Sequence, residues 1–122
     1  MTKPISVQGT YACIQLADFD AGLAFYEKFM GRAPDDQPFP GMAQWRNMNG
    51  AGLQLWDDAS HAGHGRTTIV VPVMANERSR LEAAGLALGP DNKGDWGIVA
   101  QLTDPEGNEI TVAEPPKNFP GN

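Results

Sequence analysis

The chain has 122 residues, 41% of them apolar, which suits one domain able to bury a core without disulfide or metal staples. Nine basic residues against fifteen acidic ones leave a net charge of −6, the wrong sign for neutralising phosphates, so no nucleic-acid partner is expected. No stretch approaches the roughly 20 apolar residues of a membrane span, and MTKPISVQGT lacks a signal peptide's apolar block, so a cytoplasmic protein without membrane contact is expected. The lone Cys13 has no disulfide partner and, in an apolar-rich segment, reads as a buried structural thiol.

In chain order, Thr10 to Leu16 reads as a strand with Ala12, Ile14 and Leu16 on one face and Tyr11, Cys13 and Gln15 on the other. Asp18 offers an N-cap, and Phe19, Leu23, Tyr26 and Met30 recur at helical spacing until Gly31 stops the helix. Arg32 to Gly41, with Pro34, Pro38 and Pro40, reads as a short edge strand running into a loop. Met42–Met48 and Gly52–Asp57 flank Asn49-Gly50 and form a hairpin. A short turn there places Trp45, Asn47, Gln54 and Trp56 on one face and points Leu53 and Leu55 at the helix; a slip of one residue reverses the assignment.

Asp58 to Arg66 reads as a polar linker, after which the pattern restarts. Thr67–Val73 is a β-branched strand, Asn76–Ala84 a short helix ending at Gly85, and Leu86–Pro90 a brief strand before the turn-rich Asp91–Gly94. Gly97–Thr103 and Glu109–Glu114 form the last pair, joined by Asp104-Pro105-Glu106-Gly107-Asn108, whose early proline and late glycine suit a type I turn closed by a residue of positive φ. The tail PPKNFPGN is expected to be loosely held. Strand, helix, short strand and hairpin thus occur twice, at about 8–58 and about 66–115 of one domain spanning 1–122. Tyr11 and Thr68 stand 57 residues apart (68 − 11), as do Gln54 and Thr111 (111 − 54).

The run from Asp18 to Gly31, with its Asp cap, Phe25-Tyr26 pair and closing glycine, resembles the first helix of the vicinal oxygen chelate superfamily, which includes glyoxalases, bleomycin-resistance proteins and extradiol dioxygenases. Leu102 to Val112, containing Asp104-Pro105-Glu106-Gly107-Asn108, resembles its closing hairpin. The resemblance implies an α+β fold of two βαβββ modules forming a curled mixed sheet cleft, often completed by a second chain, so a homodimer is expected. It also implies that enzymes of the family hold a divalent metal through His, Glu or Gln from the first and last strand of each module. Those four places fall on Tyr11, Gln54, Thr68 and Thr111, of which only Gln54 is an ordinary ligand type. No metal and no cofactor are therefore expected, which sets isomerase, dioxygenase and thiol-transferase chemistry aside together.

His61 and His64 lie in a loop of small residues and read as solvated. With metal discounted, the remaining asset is aromatic. Tyr11, Trp45, Trp56 and Trp96, with Gln54, Thr68, Gln101 and Thr111 as polar anchors, suit a small planar or cationic organic ligand, each stacking or cation–π contact contributing about 0.5–2 kcal/mol. The alternatives are a metal-dependent lyase, isomerase or dioxygenase of the glyoxalase type using Gln54 and a displaced His64, a purely assembly or regulatory role, or tryptophans that simply pack the sheet.

Overall fold

The computed structural model describes residues 3–118. Its elements are β1 (Thr10–Leu16), α1 (Phe19–Met30), β2 (Asp36–Phe39), β3 (Met42–Met48) and β4 (Ala51–Asp57), then a single 3-10 turn at Ala59–His61. The second half repeats the order with β5 (Arg66–Val70), α2 (Met74–Ala83), β6 (Asn92–Gly94), β7 (Gly97–Thr103) and β8 (Glu109–Glu114). Each half makes one four-stranded mixed sheet, ordered β1-β4-β3-β2 and β5-β8-β7-β6, with β1/β4 and β5/β8 parallel and the other pairs antiparallel. These are the two expected βαβββ modules. The last four residues of the tail lie outside the described residues. Among the described residues no helix is long and apolar enough to cross a membrane.

The first helix forms where its cap dictates. Asp18 Oδ1 accepts from the Ala21 N–H at 3.1 Å, and Gly31, at φ 78°, donates its N–H back to the Glu27 carbonyl. The second module departs from expectation at three points. Its strand β5 ends at Val70, two residues before Pro72, instead of continuing to Val73. Helix α2 begins at Met74, not Asn76: Val73 has no capping side chain, and Glu114 Oε1 of β8 takes the Met74 N–H instead, at 2.6 Å. Leu86–Pro90 forms no strand: Gly89 gives its N–H to the Gln101 carbonyl of β7 at 2.8 Å, but the Leu88 and Gly89 carbonyls go to the Arg78 guanidinium at 3.2 and 2.6 Å, and the edge strand falls on Asn92–Gly94, where a turn was expected.

One apolar core joins both modules. Ile14 and Leu16 of β1, Tyr26 and Phe29 of α1, and Leu53 and Leu55 of β4 pack with Met74 and Leu81 of α2 and Ile110 and Val112 of β8. Trp45 belongs to this core and is 0% exposed, which corrects the expectation that it shares a face with Gln54 and Trp56. The cause is a bulge. Next to the Asn49-Gly50 turn, Met48 pairs with Ala51, but Asn47 takes φ 61° and the register shifts by one residue, so Trp45 pairs with Leu53 and Gln44 with Gln54. The Trp45 indole N–H finds the Arg32 carbonyl at 3.1 Å.

The modules are also clamped by the turn between β7 and β8. Both carboxylate oxygens of Glu106 accept N–H groups at the entrance to α1, from Ala17 and Asp18, each at 2.7 Å. Beneath it the buried Asp104 accepts the Tyr26 hydroxyl at 2.9 Å, the Asn108 amide at 2.7 Å, and the backbone N–H groups of Glu106 and Asn108. Burial first, and the adjacent Asp104 carboxylate second, push the Tyr26 hydroxyl far above the ordinary phenol range. Below about pH 10 the phenol is protonated in folded and unfolded chains alike and adds no pH dependence. Above that, only the unfolded chain ionises, so stability falls with rising pH by up to about 1.4 kcal/mol per unit from this group. Urea unfolding between pH 9 and 11 should show this extra alkaline slope, and Tyr26→Phe should remove it.

Candidate functional site

Alternation along β1, β3 and β4 buries one face of the first sheet and leaves the other open. On the open face, Cys13 lies in register with Gln54, and Gln15 with Trp56. Gln44 faces Gln54 from β3, and Asp36 faces Gln44 from the edge strand β2. Aromatic surface is supplied by Trp56 against Phe39, with ring centroids 5.6 Å apart and planes tilted by 55°, and by Tyr11, whose ring lies over Gly52. A methyl group at Gly52 would collide with that ring, so the glycine makes room for it.

A continuous hydrogen-bonded row crosses this face. Arg46 Nε pairs with Asp36 Oδ2 at 2.9 Å, and Gln44 Nε2 donates to Asp36 Oδ1 at 2.8 Å. Gln54 Nε2 then donates to Gln44 Oε1 at 3.1 Å. Finally Gln54 Oε1 accepts from the Trp56 indole at 3.1 Å and from the Cys13 thiol at 3.3 Å. Cys13 is therefore an exposed member of this row, which corrects the expectation of a buried structural thiol.

The second sheet has its own open face. Thr68 lies in register with Thr111, and Gln101 Nε2 donates to Thr111 Oγ1 at 3.1 Å, the counterpart of the Gln44–Gln54 pair. Trp96, 57% exposed, lies over Gly94 at the β6–β7 turn. Of the eight residues singled out from sequence, the structure therefore groups Tyr11, Gln54 and Trp56 on the first sheet and Thr68, Gln101, Thr111 and Trp96 on the second. Trp45 goes to the core.

The register also corrects the inferred equivalence of Tyr11 with Thr68. Since Cys13 opposes Gln54 and Thr68 opposes Thr111, the first strands are offset by 55 residues (68 − 13), and Cys13 is the counterpart of Thr68. The helix caps Asp18 and Val73 share that offset (73 − 18), so the two modules differ by two residues between helix start and last strand.

Neither set of four side chains suits a divalent metal. A glutamine ligates through Oε1, and here that oxygen already accepts two hydrogen bonds; thiol, phenol and threonine hydroxyls complete the set without a carboxylate or imidazole. His64, the displaced ligand considered with Gln54, is exposed in the loop before β5. His61 is tied to its neighbours instead: Nδ1 lies 2.9 Å from Asp58 Oδ2 and 3.1 Å from Ser60 Oγ. Those bonds, from Ser60 first and His61 second, hold the Asp58 carboxyl below the usual range. Among the described residues no three His, Cys, Asp or Glu side chains come together as a metal-holding group.

Two βαβββ modules, each with one sheet face given to the core and one left open, define the vicinal oxygen chelate class. A family model described as Glyoxalase-like domain matches residues 11–113, and the chain belongs to that family. Solved structures agree. A glyoxalase/bleomycin resistance protein from Catenulispora acidiphila is 28% identical, with a TM-score of 0.83 over 91% of this chain and 100% of that one. TnmS3, an antibiotic binding protein from Streptomyces sp. CB03234, is 23% identical, with a TM-score of 0.74 over 95% and 100%. A lactoylglutathione lyase from Agrobacterium tumefaciens is 22% identical, with a TM-score of 0.71 over 92% and 96%. No curated protein matches the chain in sequence.

Proposed function

We propose that this protein is a non-catalytic receptor that holds a small planar or cationic organic molecule against the open face of its first sheet, without a metal. The observation that carries the reading is the placement of Trp56 and Phe39 beside Gln54, whose carbonyl oxygen is already saturated. Flat aromatic surface with few, fixed polar groups is the composition of a small-molecule site. One protein of the same fold is described as an antibiotic binding protein, which supports a binding role.

Binding needs a second wall, and a single chain leaves this face open. A homodimer that sets the open face of one chain's first sheet against the second sheet of its partner, with Thr68, Trp96, Gln101 and Thr111, supplies one. Sedimentation velocity at micromolar concentration should give a dimer, and a monomer there would contradict this part of the reading.

Binding itself is tested by titrating planar aromatic compounds, neutral and cationic, against intrinsic tryptophan fluorescence. Saturable quenching is expected, with Trp56→Ala weakening affinity about tenfold or more, as truncating an aromatic anchor does. Folding stability should fall by no more than about 1.5 kcal/mol, because Trp56 is only partly buried. Unchanged affinity in Trp56→Ala, or no saturable binding across the panel, would overturn the proposal.

A further inference from the structure

We infer that Asp36 at the sheet edge and the Trp56 indole at the opposite end together fix the hydrogen-bonding polarity of the row, make Gln54 a donor toward the ligand, and so select planar molecules bearing a neutral carbonyl-type acceptor. The inference rests on the binding reading above and narrows it from planar or cationic ligands to one chemistry.

A carboxamide has two chemically opposite ends, and an isolated glutamine presents either by flipping. Here the ends of the row remove that freedom. An ionised carboxylate only accepts, so Gln44 must turn its Nε2 to Asp36 and its Oε1 to Gln54. Gln54 must then present Nε2 to Gln44, which leaves its Oε1 facing the Trp56 indole and the Cys13 thiol. An indole N–H only donates, so the opposite end demands the same orientation. Flipping either amide would set donor against donor or acceptor against acceptor in a half-buried place, at a cost of about 1–3 kcal/mol for each unmatched group.

The consequence falls on the ligand. Both lone pairs of Gln54 Oε1 are in use, whereas Nε2 has two N–H groups and gives one to Gln44. The hydrogen-bonding group left over beside Trp56 is a donor. A ligand oxygen can accept it; an ammonium or amino group meets N–H with N–H. Asp36 acts through Gln44 and is thus a positioning residue, with Arg46 holding its other oxygen. The second sheet has no such device. Its Gln101 bonds Thr111, a hydroxyl that both donates and accepts, and β6 places no partner opposite Gln101.

Three probes sharing one ring system test this by calorimetry or two-dimensional NMR: 2-acetylnaphthalene, 2-ethylnaphthalene and 2-naphthylmethylammonium. The acetyl compound should bind about 2- to 10-fold more tightly than the ethyl compound, the value of one neutral hydrogen bond, and more tightly than the ammonium. Gln54→Leu should bring the acetyl-to-ethyl ratio close to one, and so should Asp36→Asn combined with Trp56→Phe, which frees both ends of the row, whereas Asp36→Asn alone should leave the ratio above one because the indole still holds Gln54. A merely structural loss would weaken both probes alike and leave the ratio unchanged, so a ratio that survives in Gln54→Leu or in the double variant overturns the assigned polarity. Equal binding of acetyl and ethyl compounds to the natural protein, or tighter binding of the ammonium, overturns the inferred selectivity while leaving the binding site standing. If none of the three binds, the receptor reading itself falls, and the inference with it.

Discussion

Trp45→Ala is expected to remove about 3–5 kcal/mol of folding stability, the range for deleting a large buried aromatic, and to leave a chain that is largely unfolded or aggregated at physiological temperature. Trp45 is fully enclosed, packs in the cluster shared by both modules, and has its indole N–H bonded to the Arg32 carbonyl. Truncation would thus open a cavity and remove the partner of the Arg32 carbonyl together. Trp56, eleven positions later on the adjacent strand, should behave in the opposite way, affecting ligand more than fold. Denaturant titrations of both variants settle the contrast: comparable losses at the two positions would place Trp56 in the core and remove the aromatic wall.

Asp104→Ala should be nearly as damaging, at about 3–5 kcal/mol, or very roughly 10–20 °C in midpoint for a chain of this size. The 4%-exposed carboxylate gathers four donors, from Tyr26, Asn108 and two backbone N–H groups. Removing it leaves these donors unpaired in the interior, each at a cost of about 1–3 kcal/mol before relaxation. Tyr26→Phe deletes only one of the four and should cost about 1–2 kcal/mol. A double-mutant cycle should show clear coupling between the two positions. Additive effects would mean that Asp104 serves its own turn and does not tie the modules together.

The same turn shows why much of the fold was legible in the sequence. Asp18, Gly31, Asn49-Gly50 and Gly107 act through local backbone geometry, so their residues declare what they do without knowledge of neighbours. The first module's strands and helix, and the turn Asp104–Asn108, accordingly fall where periodicity and punctuation put them. Misplaced elements are those decided by distant partners. Helix α2 starts at the position where Glu114 reaches it from β8, and in Leu86–Pro90 the Leu88 and Gly89 carbonyls are taken by Arg78 instead of by a strand partner.

The candidate site was less legible, for a related reason. A single bulged residue, Asn47, inverts β3 relative to its turn, and nothing in Arg46-Asn47-Met48 announces it. That one shift sends Trp45 inward and brings Gln44 onto the open face. Gln44 and Asp36 were missed with it, since a glutamine ten positions and an aspartate eighteen positions before Gln54 become meaningful only through registered pairing. Phe39, between two prolines on an edge strand, offered a usable signal: an aromatic in a segment too short and too interrupted to bury it. Gln54 was found because the resemblance to the family marked its position, and Trp56 because it alternates with Gln54 along one strand.

The donor chemistry of the row around Gln54 is tested most directly by elemental analysis of protein purified without chelator or added metal. The expected result is far less than one Zn, Ni, Mn or Fe per chain, with no gain in thermal stability when these ions are supplied. One tightly held ion per chain, lost together with Gln54→Ala, would mean that the amide turns its oxygen to a metal despite Trp56 and Cys13, and would contradict the account.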